Sequence, residues 1–462
     1  MLAYYALLAA QATLIVRPMD VVPALSGLQL FLPFIAAAMF FALPDLLRLL
    51  EPRSLQRQPL NACVVGLTGC VAVSLLQYGL LGDAAAATLT FAKVAGYYFA
   101  VVAILTTPRR LRGFLLVTAV AATAMVALSI RDFRAFDAEW SGRADLWREY
   151  ELDRQRDGVT EPKVIRHVLE RHGVTDSGEP VVFFRMRGFG VFSDPNDIAL
   201  LIVISCILLL HFCREPDLRA YRPAWLGMMG VLLYGLWCTQ SRGGLLAAGA
   251  AFLVWCYMNY GRQVATTLGL MLAGVAPVAL GRLGAISLSS GTGQDRIQLW
   301  AEGLDALKGR AAVFGIGQGR YADMTSSQLV AHNSYVHAFT ELGLVGGTFF
   351  VGLAFFSAYG FWRLRNARRE IRDRRVRALL PVVSAITAGW CVGMGSLSRC
   401  YTPATYLVFA VAAGYLNVAG VSLQFPRPVV RLNRLVVPRW AAASAGVFLS
   451  AYLFVRVFAR FG

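Results

Sequence analysis

Four basic side chains in this chain have the type and setting to do chemistry. Arg242 lies in TQSRGGLL, between two apolar blocks. Gly243 and Gly244 follow it and would let a backbone or a ligand approach closely. Arg187 stands beside Gly188 and Gly190, ahead of the apolar run that begins at 198, and Arg296 stands in a long polar stretch. His332 comes just before another apolar run. A guanidinium is always charged and grips phosphate oxygens in a two-pronged fork, so three arginines suit a polyanion. An imidazole, with an ordinary pKa of about 6.5, can take a proton from a hydroxyl near neutral pH. Each residue also has a plainer reading: an ion pair with a loop carboxylate, an arginine reaching for the interface, or a hydrogen-bonded histidine.

Other motifs sort around these four. In DPND (194–197), Asp194 reads as a helix N-cap, Pro195 as the first helical residue and Asp197 as the third, an acidic form of the capping box. A metal site on Asp194 and Asp197 is the rival, with no further ligand at suitable spacing. The glycines of GTGQD and GIGQG do not form GxxxxGK[ST], so flexible turns are expected rather than a nucleotide loop. His337 precedes Glu341 by one helical turn, which predicts a side-chain pair and a weaker competitor to His332. The eight cysteines include no CxxC pair, and only Cys400 lies in an outer loop.

The elements that must position these residues are membrane helices. Of 462 residues 57% are hydrophobic, only 15% are charged, and the mean hydropathy is +0.56. Blocks such as 198–211 and 243–258 are apolar on every side, as expected in lipid. A helix needs about 20 apolar residues to cross, and lipid offers no partners for an open sheet edge. The expected fold is therefore an all-α polytopic membrane protein with about 12–13 transmembrane helices, counted from 3–16 to 440–458 and including 25–45, 224–240 and 264–282.

Loop charge gives the direction. Arg48, Arg53 and Arg57, then Arg109, Arg110 and Arg112, then Arg214, Arg219 and Arg222 fall on one side if spans alternate. So do Arg262, the eight arginines of 363–377, and Arg427, Arg431, Arg434 and Arg439. That side is read as cytoplasmic. The net charge of +17 is then a topology signal rather than a nucleic-acid surface, and no nucleic-acid partner is expected. Arg17, Arg242 and Arg399 are the main exceptions on the outer side.

The chain divides into N-terminal helices (1–129), a first outer loop (130–197), central helices (198–282), a second outer loop (283–337) and C-terminal helices (338–462). The first loop holds 14 of the 27 acidic residues, and its segment 161–172 reads as a short amphipathic helix between Thr160 and Gly173. All four candidate residues lie on the outer side.

SRGG (241–244), AHNSYVHAFTELGLVGG (331–347) and DPND together resemble motifs of the O-antigen ligase and polymerase superfamily, bacterial inner-membrane glycosyltransferases of the GT-C type. The likeness covers roughly residues 185–395. It implies a donor glycan carried on undecaprenyl diphosphate, an acceptor hydroxyl at the periplasmic face, and no metal or other cofactor. It implies that Arg187, Arg242 and Arg296 hold the diphosphate, with Arg185 a rival to Arg187. His332 would act as base or orient the acceptor, and the transfer would invert the anomeric carbon. A ligase acting on lipid A–core is the leading expectation. A polymerase of O-antigen or exopolysaccharide, or a ligase acting on protein, is the alternative.

From another class, a lipid-linked oligosaccharide transporter would show paired repeats and intramembrane charges. Lys93 is the one clear mid-span basic residue, and no internal repeat is evident.

Overall fold

The computed structural model describes residues 1–140, 168–174, 180–281 and 292–459. The main helices are α1 (Leu2–Val16), α2 (Phe31–Phe41), α3 (Leu43–Leu50), α4 (Pro59–Leu76), α5 (Leu81–Ile104) and α6 (Pro108–Trp140). Two strands follow, β1 (Val168–Val174) and β2 (Pro180–Arg185). Then come α7 (Pro195–Arg214), α8 (Arg222–Thr239), α9 (Arg242–Tyr260), α10 (Arg262–Gly281) and α11 (Thr292–Asp305). The chain closes with α12 (Ser334–Asn366), α13 (Arg374–Gly393), α14 (Pro403–Val421) and α15 (Val436–Phe458). The all-α membrane architecture expected from the apolar blocks is what forms.

Ten helices among the described residues are long and apolar enough to cross a membrane, or up to eleven if α2 and α3, bent by 74°, make one broken span. This is fewer than the 12–13 expected. The block 25–45 is interrupted at Ala42, where Pro44 enters the first turn of α3. The block 224–240 forms α8, whose terminal Arg222 and interior Trp, Tyr and Gly residues dilute its apolarity. Its ends nevertheless meet both ends of α7. Arg222 Nε donates to the Cys213 carbonyl at 2.8 Å, and Ser241, just past its C-terminus, bonds Asn196 at 2.7 Å. So α8 runs the full length of α7 in the opposite direction.

The chain forms two compact units: residues 1–11, 29–115 and 246–462, and residues 12–28 and 116–245. In the first, α12 packs against α4, α13, α14 and α15, and α5 packs against α4 and α14. Glycines set the closest approach. A Cβ on Gly66 would sit 2.6 Å from the Phe349 ring, and one on Gly352 2.6 Å from Cys63 Sγ. Small residues of this kind let membrane helices come together where no hydrophobic drive does so. In the second unit, α7 packs on α8, and Gly235 takes the Val126 side chain.

The amphipathic helix expected over 161–172 is corrected where the structure describes the chain. Val168–Val174 is a strand, paired antiparallel with PVVFFR at Val168↔Arg185 and Leu169↔Phe184. Residues 161–167 lie outside the described residues. An isolated twelve-residue helix is marginal, whereas a ladder with a β-branched and aromatic partner satisfies the backbone directly. Helix α6 also continues past 129 to Trp140.

Candidate active site

In the unit of 12–28 and 116–245, three segments are tied together. β2 ends at Arg185, whose Nε donates to the Thr239 carbonyl at 2.9 Å and whose Nη2 donates to Asn196 Oδ1 at 3.0 Å. The next residue, Met186, donates its N–H to the Cys238 carbonyl at 3.0 Å. Asn196 Oδ1 also accepts from Ser241 Oγ at 2.7 Å. Ser241 Oγ in turn accepts the Gly244 N–H at 3.0 Å, which makes Ser241 the cap of α9. Asp194 caps α7 as expected, accepting the Asn196 N–H at 2.7 Å. The N-termini of α7 and α9 therefore meet at one hydrogen-bonded knot. Helix starts carry free N–H groups and partial positive charge, which favour an anion.

Arg187 and Arg242 flank this knot and are both half-buried. Arg242 is the first residue of α9, and Arg187 lies one residue beyond Met186. The second glycine of SRGG serves packing, because a Cβ on Gly244 would stand 2.6 Å from Ala199 Cβ. Arg185 has a structural post between the Thr239 carbonyl and Asn196. A further cation named from the loop charges is part of this unit. Arg17, in the left-handed backbone region, pairs with Asp20 at 2.9 Å, and its side chain lies where a Cβ on Gly190 would be. Gly190 has φ +56°, so glycine is needed there on both counts.

In the other unit, Arg296 lies on α11 one turn before Trp300. Trp300 Nε1 donates to the Ala331 carbonyl at 2.6 Å. The helix that carries Arg296 is thus pinned to the residue preceding His332. His332 itself has φ +48°, a left-handed conformation that a histidine adopts at a cost on the order of 1–3 kcal/mol. Such outliers persist where the surroundings fix them. Here Asn333 caps α12 by accepting the Tyr335 and Val336 N–H groups at 3.0 and 3.2 Å. Ser334 Oγ accepts the Arg399 N–H at 2.9 Å and donates to the Leu397 carbonyl.

The expected His337–Glu341 pair forms, Nε2 to Oε1 at 3.0 Å, and both residues are buried. The pair lies just ahead of a break in α12. Gly343 (φ 69°, ψ −172°) interrupts the helix, leaving the Thr340 and Glu341 carbonyls to accept the N–H groups of Ile316 and Gly317 at 3.0 and 3.1 Å. A Cβ on Gly343 would strike the Val313 carbonyl, and one on Gly315 the Glu341 carbonyl. Glu341 Oε1 accepts the Tyr321 N–H at 3.1 Å, and Gln77 Nε2 donates to the Gly315 carbonyl at 2.7 Å. The GIGQG segment, expected as flexible turns, is docked on both sides. Burial, then the charges of Glu341 and Glu302, push the Tyr321 phenol well above its usual range. Burial and Glu341 do the same for the Cys400 thiol and the Tyr401 phenol. All three remain protonated around the Glu341 carboxylate.

Residues 227–351 match the family model described as O-antigen ligase. This match supports the likeness of the chain to the O-antigen ligase and polymerase superfamily. The matched segment contains Arg242, Arg296 and His332, while Arg187 precedes it. No curated protein matches the chain. The match to the O-antigen ligase model, with the membrane helices, supports a membrane glycosyltransferase of the ligase or polymerase type acting on lipid-linked glycans.

Proposed function

We propose that this protein transfers a glycan from undecaprenyl diphosphate to an acceptor hydroxyl at the periplasmic face of the bacterial inner membrane, with lipid A–core as acceptor. The observation that carries this reading is the fixed setting of Arg187 and Arg242 at two capped helix starts, within a chain whose family match spans Arg242, Arg296 and His332. Arg187, Arg242 and Arg296 hold the donor diphosphate, and His332 takes the proton of the acceptor hydroxyl. The acceptor oxygen then attacks the anomeric carbon from the face opposite the diphosphate. The bond to the diphosphate oxygen breaks, its electron pair leaves with undecaprenyl diphosphate, and the anomeric centre inverts. Charge grows on the diphosphate as the bond breaks, so preorganised guanidiniums stabilise the transition state more than the ground state.

The test is transfer by purified protein given undecaprenyl-diphosphate glycan, with and without lipid A–core. Core-linked product supports the ligase. A ladder on the lipid carrier without core would assign a polymerase, and movement across vesicles with no covalent product would assign a transporter. Arg242→Ala and His332→Ala are each expected to lower the rate about 10²–10³-fold or more while expression is retained. Normal transfer by both variants would remove the assignment.

A further inference from the structure

A cleft of about 560 Å³ opens in the unit of 1–11, 29–115 and 246–462, at the end that carries the start of α12. One wall is the first three turns of α5. There Asp83, Ala86, Ala87 and Thr90 recur at helical spacing on one face, so two alanines form a notch between an acid and a hydroxyl. The opposite wall is the docked segment after GIG, with Gln318, Gly319, Arg320 and Asp323. Leu75 and Leu80 add apolar surface. This wall is held firmly, since the Gln318 N–H donates to Ser74 Oγ at 3.1 Å and the Tyr321 N–H is taken by Glu341.

The charges in this cleft are not neutralised by one another. Among the described residues Asp83 and Asp323 form no ion pair, and the Arg320 guanidinium lies over the Tyr78 ring, 5.7 Å from its centroid. Two carboxylates accept, one guanidinium donates, and Gln318 and Thr90 can do both. That mixture matches vicinal hydroxyls, each of which is donor and acceptor at once. The alanine and leucine surface suits the C–H face of a sugar ring. Two acids against one arginine leave the cleft net negative, which disfavours a phosphorylated or carboxylated group. Its volume falls within the range of about 300–1,000 Å³ found for small-ligand sites.

We infer that this cleft between α5 and the Gln318–Asp323 segment seats a neutral sugar of the glycan substrate. The inference rests on the transfer reaction proposed above. It makes Asp83, Arg320 and Asp323 glycan-binding residues with no part in diphosphate binding or proton transfer.

The experiment is steady-state transfer in nanodiscs, varying donor and acceptor separately. Wild type is compared with Ala86→Trp, which fills the notch, and with the paired change Asp83→Asn and Asp323→Asn, which keeps the shape. The expected result is a rise in KM of tenfold or more for one substrate, with kcat changed less than twofold. A rise for the donor assigns the donor glycan, and a rise for the acceptor assigns the acceptor glycan. Active variants with both KM values unchanged would overturn the inference. If wild type makes no product, the transfer reading itself fails. The cleft is then judged by saturation-transfer NMR with the delipidated donor and core glycans. Signal from wild type that is lost in both variants sustains the inference, and no signal from wild type ends it.

Discussion

Arg185 gives its guanidinium to a backbone carbonyl and an amide oxygen, at 2.9 and 3.0 Å, while Arg187 stands two residues on beside the starts of α7 and α9. The two should therefore separate by experiment. Arg185→Ala removes a donor to the Thr239 carbonyl and leaves Asn196 Oδ1 with Ser241 Oγ, and it is expected to lower stability by about 1.5–3 kcal/mol, seen as a lower melting temperature in detergent. Arg187→Ala should reduce transfer about 10²–10³-fold. Normal transfer by Arg187→Ala would count against this division. Tyr321 offers a test by pH. Its folded-state pKa is raised, so its contribution to stability is full below the usual value of 10 and is lost as pH climbs beyond it. Tyr321→Phe also loses the bond to the Leu299 carbonyl, 2.8 Å long. The variant is expected to be less stable at neutral pH but to lose stability less steeply above pH 10. An unchanged alkaline slope would show that other groups control it.

The break in α12 and the GIGQG segment form one device. Each has a glycine where the partner's backbone leaves no room for a Cβ, and each glycine has positive φ. Gly343→Ala and Gly315→Ala should each sharply reduce folded protein in the membrane, measured by monodisperse yield after extraction. Gly319→Ala, with nothing near its Cβ position, meets only the backbone strain and should be milder. Much of this scale was legible in the sequence. Apolar blocks gave the helices because lipid forces the backbone to bond within the segment. Asp194 gave the cap, and the spacing of His337 and Glu341 gave their pair. What stayed hidden depended on distant partners. Nothing local to VLERHGV announces PVVFFR as its strand mate, and nothing in GIGQG names the Thr340 and Glu341 carbonyls. The pinning of Ala331 by Trp300 is equally non-local, so His332 could be picked from its sequence neighbours but not its strained backbone.

For the molecule as a whole, loop charge predicts direction. The run of arginines between α12 and α13 should face the cytoplasm, and the segment between α11 and α12 the periplasm. A fluorescent protein inserted after Glu370 should fluoresce, and alkaline phosphatase inserted after Leu307 should be active. The reverse pattern would put the proposed site on the wrong side. The arginine run also has a second use. Arg368 Nη1 donates to the Met258 carbonyl at 2.8 Å near the end of α9, and the Arg365 guanidinium lies over the Tyr257 ring, 4.1 Å from its centroid. A planar guanidinium stacks on a ring more readily than a compact, strongly hydrated ammonium does. Orientation and mortar are thus written in the same letters. An arginine-to-lysine rewrite of this run would preserve the address of the protein while loosening its masonry, so insertion and assembly could be measured apart in a single variant.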